Sequence, residues 1–236
     1  SDSTVLSASG SSSATPGSYT VRVTQLAQSH QLTNRAAKAV AATTTDIVSG
    51  VSGTFTFRVG SGSDQTITLG ASATIEDPKA AINDLGAGAT ASVVNTGTES
   101  SPAYRLVMTA TSTGASNGIT IVADDTDLDF LNASGTGGTD TLQAAQDATV
   151  EVGSSATITI TRSSNTITDA IAGVTLALSK TTGTGTISVN VSRDTAAVKT
   201  SIKALATAYS EVVKFINERN AYDITTKEGG IFFNEP

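Results

Sequence analysis

The chain has no cysteine, no tryptophan, one methionine, one histidine and four prolines among its 236 residues. Without cysteine there are no disulfides and no thiolate metal sites. A single histidine cannot furnish a zinc site, which usually takes several His or Cys ligands. Aromatic residues make up 4% and charged residues 15%, the latter below the roughly 25% usual for globular domains. The 14 Lys and Arg are outnumbered by 21 Asp and Glu, for a formal charge of −7, and no basic run exists. Binding to nucleic acid or anionic lipid depends on clustered Lys and Arg, so neither is expected as a partner. No apolar run approaches the roughly 20 residues needed to cross a bilayer. Residues 1–17 lack the charged head and apolar stretch of a secretory signal peptide. A start at Ser1 and a stop just after Ile231-Phe232-Phe233 read as a piece of a longer protein.

What is present is Ser, Thr, Ala and Gly, with enough alternating Val, Ile and Leu to build thin, sheet-based cores. Ser18–Gln28 opens after the Pro16-Gly17 turn and sets Tyr19, Val21 and Val23 against Thr20, Arg22 and Thr24, the period of a half-buried strand. Residues 29–50 carry weaker signals. Thr54–Val59 and Gln65–Leu69, joined by the Gly/Ser/Asp loop Gly60–Asp64, read as a hairpin. At Glu76-Asp77-Pro78 the period changes to that of a helix, with Pro at an early position where its missing N–H costs nothing; it runs to Gly86. Ala89–Asn95, Ala103–Thr109 and Gly118–Ala123 are expected strands.

Residues 132–141 are expected to be a flexible internal boundary. Beyond it, Ala156–Arg162 alternates as a strand, Ser163-Ser164-Asn165 turns the chain, and Thr168–Gly173 reads as a short helical turn. Val174–Leu178 and Gly185–Val191 are expected strands. Hairpin, helix, strand thus recurs after Gly53 and after Gly153, a weak internal repeat suggesting two related modules. Asp194 is a plausible N-cap for a helix over Thr195–Arg219. There Val198, Ile202, Leu205, Tyr209, Val212 and Ile216 are spaced 4, 3, 4, 3 and 4. That is a heptad seam, and it asks for a partner helix outside this chain or on another subunit; a core helix lying on a sheet is the simpler alternative.

Several strings resemble the flagellar filament cap protein family, that of hook-associated protein 2. Ser11–Gln28 (SSSATPGSYTVRVTQLAQ) is similar to that family's early head signature. Ile160–Leu178 (ITRSSNTITDAIAGVTLAL) is similar to its second, whose specific core is Asn-Thr-Ile-x-Asp-Ala-Ile-x-Gly-Val-Thr-Leu. Val189–Asn217 resembles the run that leads into the helical leg. Thr54–Ala123 is similar to an insert shared with some flagellins. The resemblance implies a mainly β, multi-domain protein with some α: two β-rich head domains, one inserted in the other, and part of a helical leg. The boundaries expected are 1–14 for the start of the leg or linker, 15–50 and 143–192 for the first head domain, 51–142 for the inserted domain and 193–236 for the leg.

The titratable residues offer little chemistry. His30 could join a Ser-His-Asp triad by arithmetic alone, but no Gly-x-Ser-x-Gly elbow accompanies it. Asp124, Asp125, Asp127 and Asp129 form an acidic cluster with alternating oxygens, as Ca²⁺ prefers. Counted from Asp125, however, the EF-hand's Gly and Glu positions fall on Phe130 and Thr136, so a solvated loop is expected. Glu76 and Asp77 suit a helix start, where negative charge offsets the dipole, better than a glycosidase pair. Gly60-Ser61-Gly62-Ser63 lacks the Gly-Lys-Ser/Thr of a phosphate loop. Asn132-Ala133-Ser134 and Asn190-Val191-Ser192 match a glycosylation acceptor, without meaning in a bacterial protein. No catalytic, cofactor-binding or metal-ligating residue is therefore expected.

The residues by themselves describe a binding or structural protein of extracellular type. The resemblance implies a secreted, non-enzymatic cap at the distal tip of the flagellar filament, self-associated in a ring, that promotes folding and insertion of flagellin. An adhesin module binding host mucin or surface glycans is the alternative, and both roles fit one head.

Overall fold

The computed structural model describes residues 4–131, 138–220, 222–223, 225 and 228–229. The chain divides into two units, Ser1–Val191 and Ser192–Pro236. The first contains, in order, β1 (Leu6–Gly10), β2 (Gly17–Gln25), β3 (Ser29–Asn34), β4 (Ser52–Val59), β5 (Gln65–Gly70), α1 (Glu76–Leu85), β6 (Ala89–Asn95) and β7 (Tyr104–Thr113). There follow β8 (Ile119–Asp124), β9 (Thr139–Gln143), β10 (Ala148–Val152), β11 (Ile158–Arg162), β12 (Thr166–Ile171), β13 (Val174–Leu178) and β14 (Ile187–Val191). In the second unit the main element is α2 (Thr195–Asn220).

Among the described residues all strand pairs of the first unit are antiparallel, and they form four sheets with the orders β1-β13-β12, β11-β10-β2-β14, β6-β7-β3-β9 and β5-β4-β8. They build two separate cores. One joins Leu6, Ile167, Leu176 and Leu178 of the first sheet to Val21, Val23, Val150 and Val189 of the second. The other joins Leu32, Leu106 and Met108 to Phe55, Phe57, Ile67 and Ile121, with Ile82 of α1 and Leu128 and Phe130 of a loop. The alternation in β2 produces this directly, since Val21 and Val23 are fully buried while Arg22 stays at the surface on the other face, paired with Glu151 of β10. In β4, Phe55 and Phe57 share the core face, and Phe55 meets Phe130 edge-on at 5.4 Å between centroids, a favourable arrangement of ring quadrupoles.

Helix α1 begins as its composition dictates. Pro78 occupies its first turn, and Asp77 reaches back to accept from the Thr74 N–H (2.7 Å) and Oγ1 (2.9 Å). It ends at Gly86, whose φ of 57° is left-handed and suits glycine. Asn83 stitches the helix to β6, donating to the Ala91 carbonyl (2.9 Å) and accepting from the Ala91 N–H (2.8 Å). A side-chain amide thus pairs with a backbone as another peptide would.

Three expectations change. Residues 168–173 are not a helical turn: β12 spans Thr166–Ile171 and pairs with β13. Ile167 and Ile171, four apart, satisfy either period, and the register shift between them accommodates the extra residues as an irregularity in the ladder. With no helix there, the expected repeat after Gly153 dissolves. Of the expected flexible stretch, residues 139–141 lie in β9, paired with β3, and 132–137 fall outside the described residues. β1, β3, β9 and β10 carry no clear sequence signal; β1 lies within residues 1–14 and buries only Leu6.

The chain enters the second core and leaves it side by side. Gln28 and Gln146 form an antiparallel bridge, with N–H to carbonyl bonds of 2.9 and 3.2 Å in the two directions. Just before it, buried Ala27 is held by Asn165, which accepts from its N–H (2.8 Å) and donates to its carbonyl (2.9 Å). Residues from both ends of the first unit therefore share sheets, and the β3–β9 module is interposed between them.

Candidate interaction surfaces

The residues considered for chemistry serve the scaffold. His30 Nδ1 accepts from the backbone N–H of Ile119 at 2.8 Å, a bond possible only while that nitrogen is unprotonated. Burial holds its pKa below the ordinary value. The four aspartates between 124 and 129 turn to different partners. Asp124 accepts from Thr126 N–H (2.9 Å), Thr126 Oγ1 (2.6 Å) and Phe130 N–H (2.6 Å), and burial raises its pKa. Asp125 accepts from Thr54 Oγ1, Asp127 from Ser49 Oγ at 2.8 Å, and Asp129 pairs with Lys38 at 2.9 Å. Their bonds shape a turn that presents Leu128 and Phe130 to the core. Glu76 pairs with Lys79 on α1. Among the described residues no group of three or more His, Cys, Asp or Glu is placed to hold a metal ion.

The residues at 60–63 form the β4–β5 turn, with the Gly62 N–H donating to the Val59 carbonyl (3.0 Å). Asn190 is exposed on β14; Asn132 and Ser134 lie outside the described residues.

Helix α2 carries a long exposed apolar stripe. Asp194 caps it, its Oδ1 accepting from the N–H groups of Ala196 (3.0 Å) and Ala197 (3.1 Å). All six seam residues are exposed, from 47% at Ile216 to 72% at Leu205. Val213 and Phe215 widen the stripe toward the C-terminal end. Polar flanks frame it, with Lys214 opposite Glu218 at 3.7 Å and Arg219 over the Phe215 ring. A stripe of this length and spacing matches the contact face of a helix–helix pair. The unit's charge is balanced, whereas the first carries eight Lys and Arg against fifteen Asp and Glu, the whole of the net −7.

Sequence reasoning passed over the buried amides. Asn34 is fully buried, donates to the Lys38 carbonyl (2.8 Å) and accepts from the Leu106 N–H (2.9 Å). No periodic signal marks such a residue; only its place between Leu32 and the turn at Ala36–Lys38 hints at a cap.

Comparison with known proteins points one way. Two family models match: the flagellar hook-associated protein 2 N-terminus over residues 1–30 and its C-terminus over residues 145–235. The B-type flagellar hook-associated protein 2 of Pseudomonas aeruginosa is 31% identical over 240 residues, which cover 95% of this chain and 48% of that protein. The chain thus spans about half the length of that relative. Among solved structures, the D1-D2-D3 domains of the flagellar cap protein FliD from Escherichia coli superpose with a TM-score of 0.74 at 32% identity, covering 92% of this chain and 72% of that one. FliD (HAP2) from Pseudomonas aeruginosa gives 0.73 at 27% identity over 93% and 98%. A mainly β chain that ends in a long helix thus superposes over most of its length on flagellar cap structures, and it belongs to the flagellar hook-associated protein 2 (FliD) family.

Proposed function

We propose that this chain is the head and part of the leg of a secreted, non-enzymatic cap at the tip of the flagellar filament, where copies of the full-length protein form a ring and promote folding and insertion of exported flagellin. The observation that carries this reading is the exposed seam of α2: six apolar residues in heptad register on a helix of 26 residues. A leg that must dock, release and dock again works through such extended contacts, each weak alone. Effective concentration within a ring keeps the assembly attached.

The two buried clusters support a head of two domains, one interposed in the other. They favour placing the exchange near Gln28 and Gln146, since Leu32, Ile47 and Val48 pack with the interposed core. Glycan adhesion finds no comparable support. Sugars stack on exposed rings, and Phe55, Phe57 and Phe130 are all buried in the core.

Deleting the gene tests the reading. A cap mutant sheds unpolymerised flagellin into the medium and does not swim, and the intact gene restores both. A copy carrying Leu205→Asp and Tyr209→Asp fails to restore them while its head stays folded by circular dichroism. Full filaments and normal swimming in the deletion strain would rule out the cap role.

A further inference from the structure

The interposed module meets the rest of the first unit at more than its two connecting strands. The turn between β7 and β8, which contains a 3-10 segment at Ala115–Asn117, touches three separate stretches of chain. The Gly114 N–H donates to the Gln28 carbonyl (3.2 Å) on the entering strand. The Ala115 N–H donates to Asp147 Oδ1 (2.8 Å) on the leaving strand. Thr113 Oγ1 donates to the Ser163 carbonyl (2.6 Å) in the β11–β12 turn. Within the turn, Asn117 holds the shape: its Nδ2 donates to the Thr113 carbonyl (2.6 Å) and its N–H to the Gly114 carbonyl (3.0 Å). Gly114 has a φ of 109°, and a Cβ there would lie 2.5 Å from Ser163 Cβ and 2.9 Å from its Cα. Only a residue without a side chain allows both that conformation and that approach.

We infer that this turn is a latch that fixes the angle between the two modules, with Gly114 as the residue that permits it to close. Two adjacent strands alone make a hinge, which resists stretching but bends and twists about its own line. A third attachment away from that line removes the remaining freedom, and Ser163 provides it. The Thr113 and Ala115 bonds lie at exposed positions, and each of the three is modest by itself, so they act as a set. The latch does not depend on the cap reading, and a rigid head would be as evident in isolation as on a filament.

Because the chain lacks cysteine, pairs of introduced cysteines take spin labels cleanly. Glu99→Cys with Ser155→Cys, both at exposed positions, measures the distance between modules by pulsed electron resonance. Glu99→Cys with Ser72→Cys, the latter also exposed, measures the interposed module alone. The expected result is one narrow inter-module distribution in the otherwise unaltered protein. Gly114→Val shifts and broadens it while the intra-module distribution stays unchanged. Thr113→Val with Asp147→Ala broadens it without adding bulk, which decides the matter if Gly114→Val disturbs the module itself. A distribution already broad before either change, or one that stays narrow after Thr113→Val with Asp147→Ala, overturns the latch.

Discussion

Replacing Asn34 by alanine removes an amide from a place water cannot reach. The Asn34 side chain bonds the Lys38 carbonyl at 2.8 Å and the Leu106 N–H at 2.9 Å, and both Asn34 and Leu106 are 0% exposed. The β3–β7 ladder ends at the Thr33–Val107 pair, so the Leu106 N–H takes its bond from this side chain. Two net hydrogen bonds are worth about 0.5–1.5 kcal/mol each, and a donor left orphaned in the core costs about 1–3, which together come to roughly 2–6 kcal/mol. With a urea slope of about 2 kcal/mol per M, the middle of the range for a small domain, the midpoint falls by roughly 1–3 M. Urea unfolding followed by far-ultraviolet circular dichroism reads this, with the slope unchanged from the parent. Asn34→Asp sharpens the test. It keeps the acceptor for Leu106 but sets a second oxygen against the Lys38 carbonyl and buries a charge. Burial raises a carboxyl pKa, so that variant's deficit is greatest at neutral pH and shrinks on acidification. An Asn34→Ala unfolding free energy within about 0.5 kcal/mol of the parent refutes the reasoning, because it would mean the amide's bonds were never made or are replaced freely.

Three further outcomes follow from the same contacts. His30 has its pKa lowered from 6.5 by burial, so its contribution is complete above pH 6.5 and is lost as pH falls through the folded value. His30→Gln flattens the urea midpoint between pH 7 and pH 5.5, since it removes the chain's sole histidine. Asp124 has the opposite sign: its pKa is raised above 3.8, so the parent gains stability relative to Asp124→Asn as pH falls from neutral toward 3.8, and equal slopes for the two proteins would contradict this. Phe55→Ala empties a fully buried site against Phe130 and lowers stability by about 3–5 kcal/mol in the same urea assay.

Much of this architecture can be read where periodicity and burial coincide. The seam of α2, the alternation of β2, and the Glu76-Asp77-Pro78 start of α1 each announce their element because side-chain pattern and local geometry agree. Signals fail where that agreement breaks. β3 buries Leu32, Thr33 and Asn34 in succession, so no alternation appears, and its two polar members are satisfied by hydrogen bonds that no pattern of spacing announces. β12 reads as helix because Ile167 and Ile171 fit either period. Ile158 and Ile160 alternate as if one face were covered, yet β11 lies at a sheet edge and Ile158 is exposed. The seam is legible as a surface in want of a partner, since spacing alone reveals it. The Gly114 turn is not, because its meaning lies in Ser163 and Asp147, which only folding brings near.

The bridge between Gln28 and Gln146 gives the interposed module a single doorway, two strands wide, with its incoming and outgoing ends shoulder to shoulder. A cassette mounted this way can be exchanged for a short loop, or for a different domain whose ends lie equally close, without cutting a strand of the Leu6–Val189 core. Such an exchange would leave the pairing of β2 with β10 and β14 as it is.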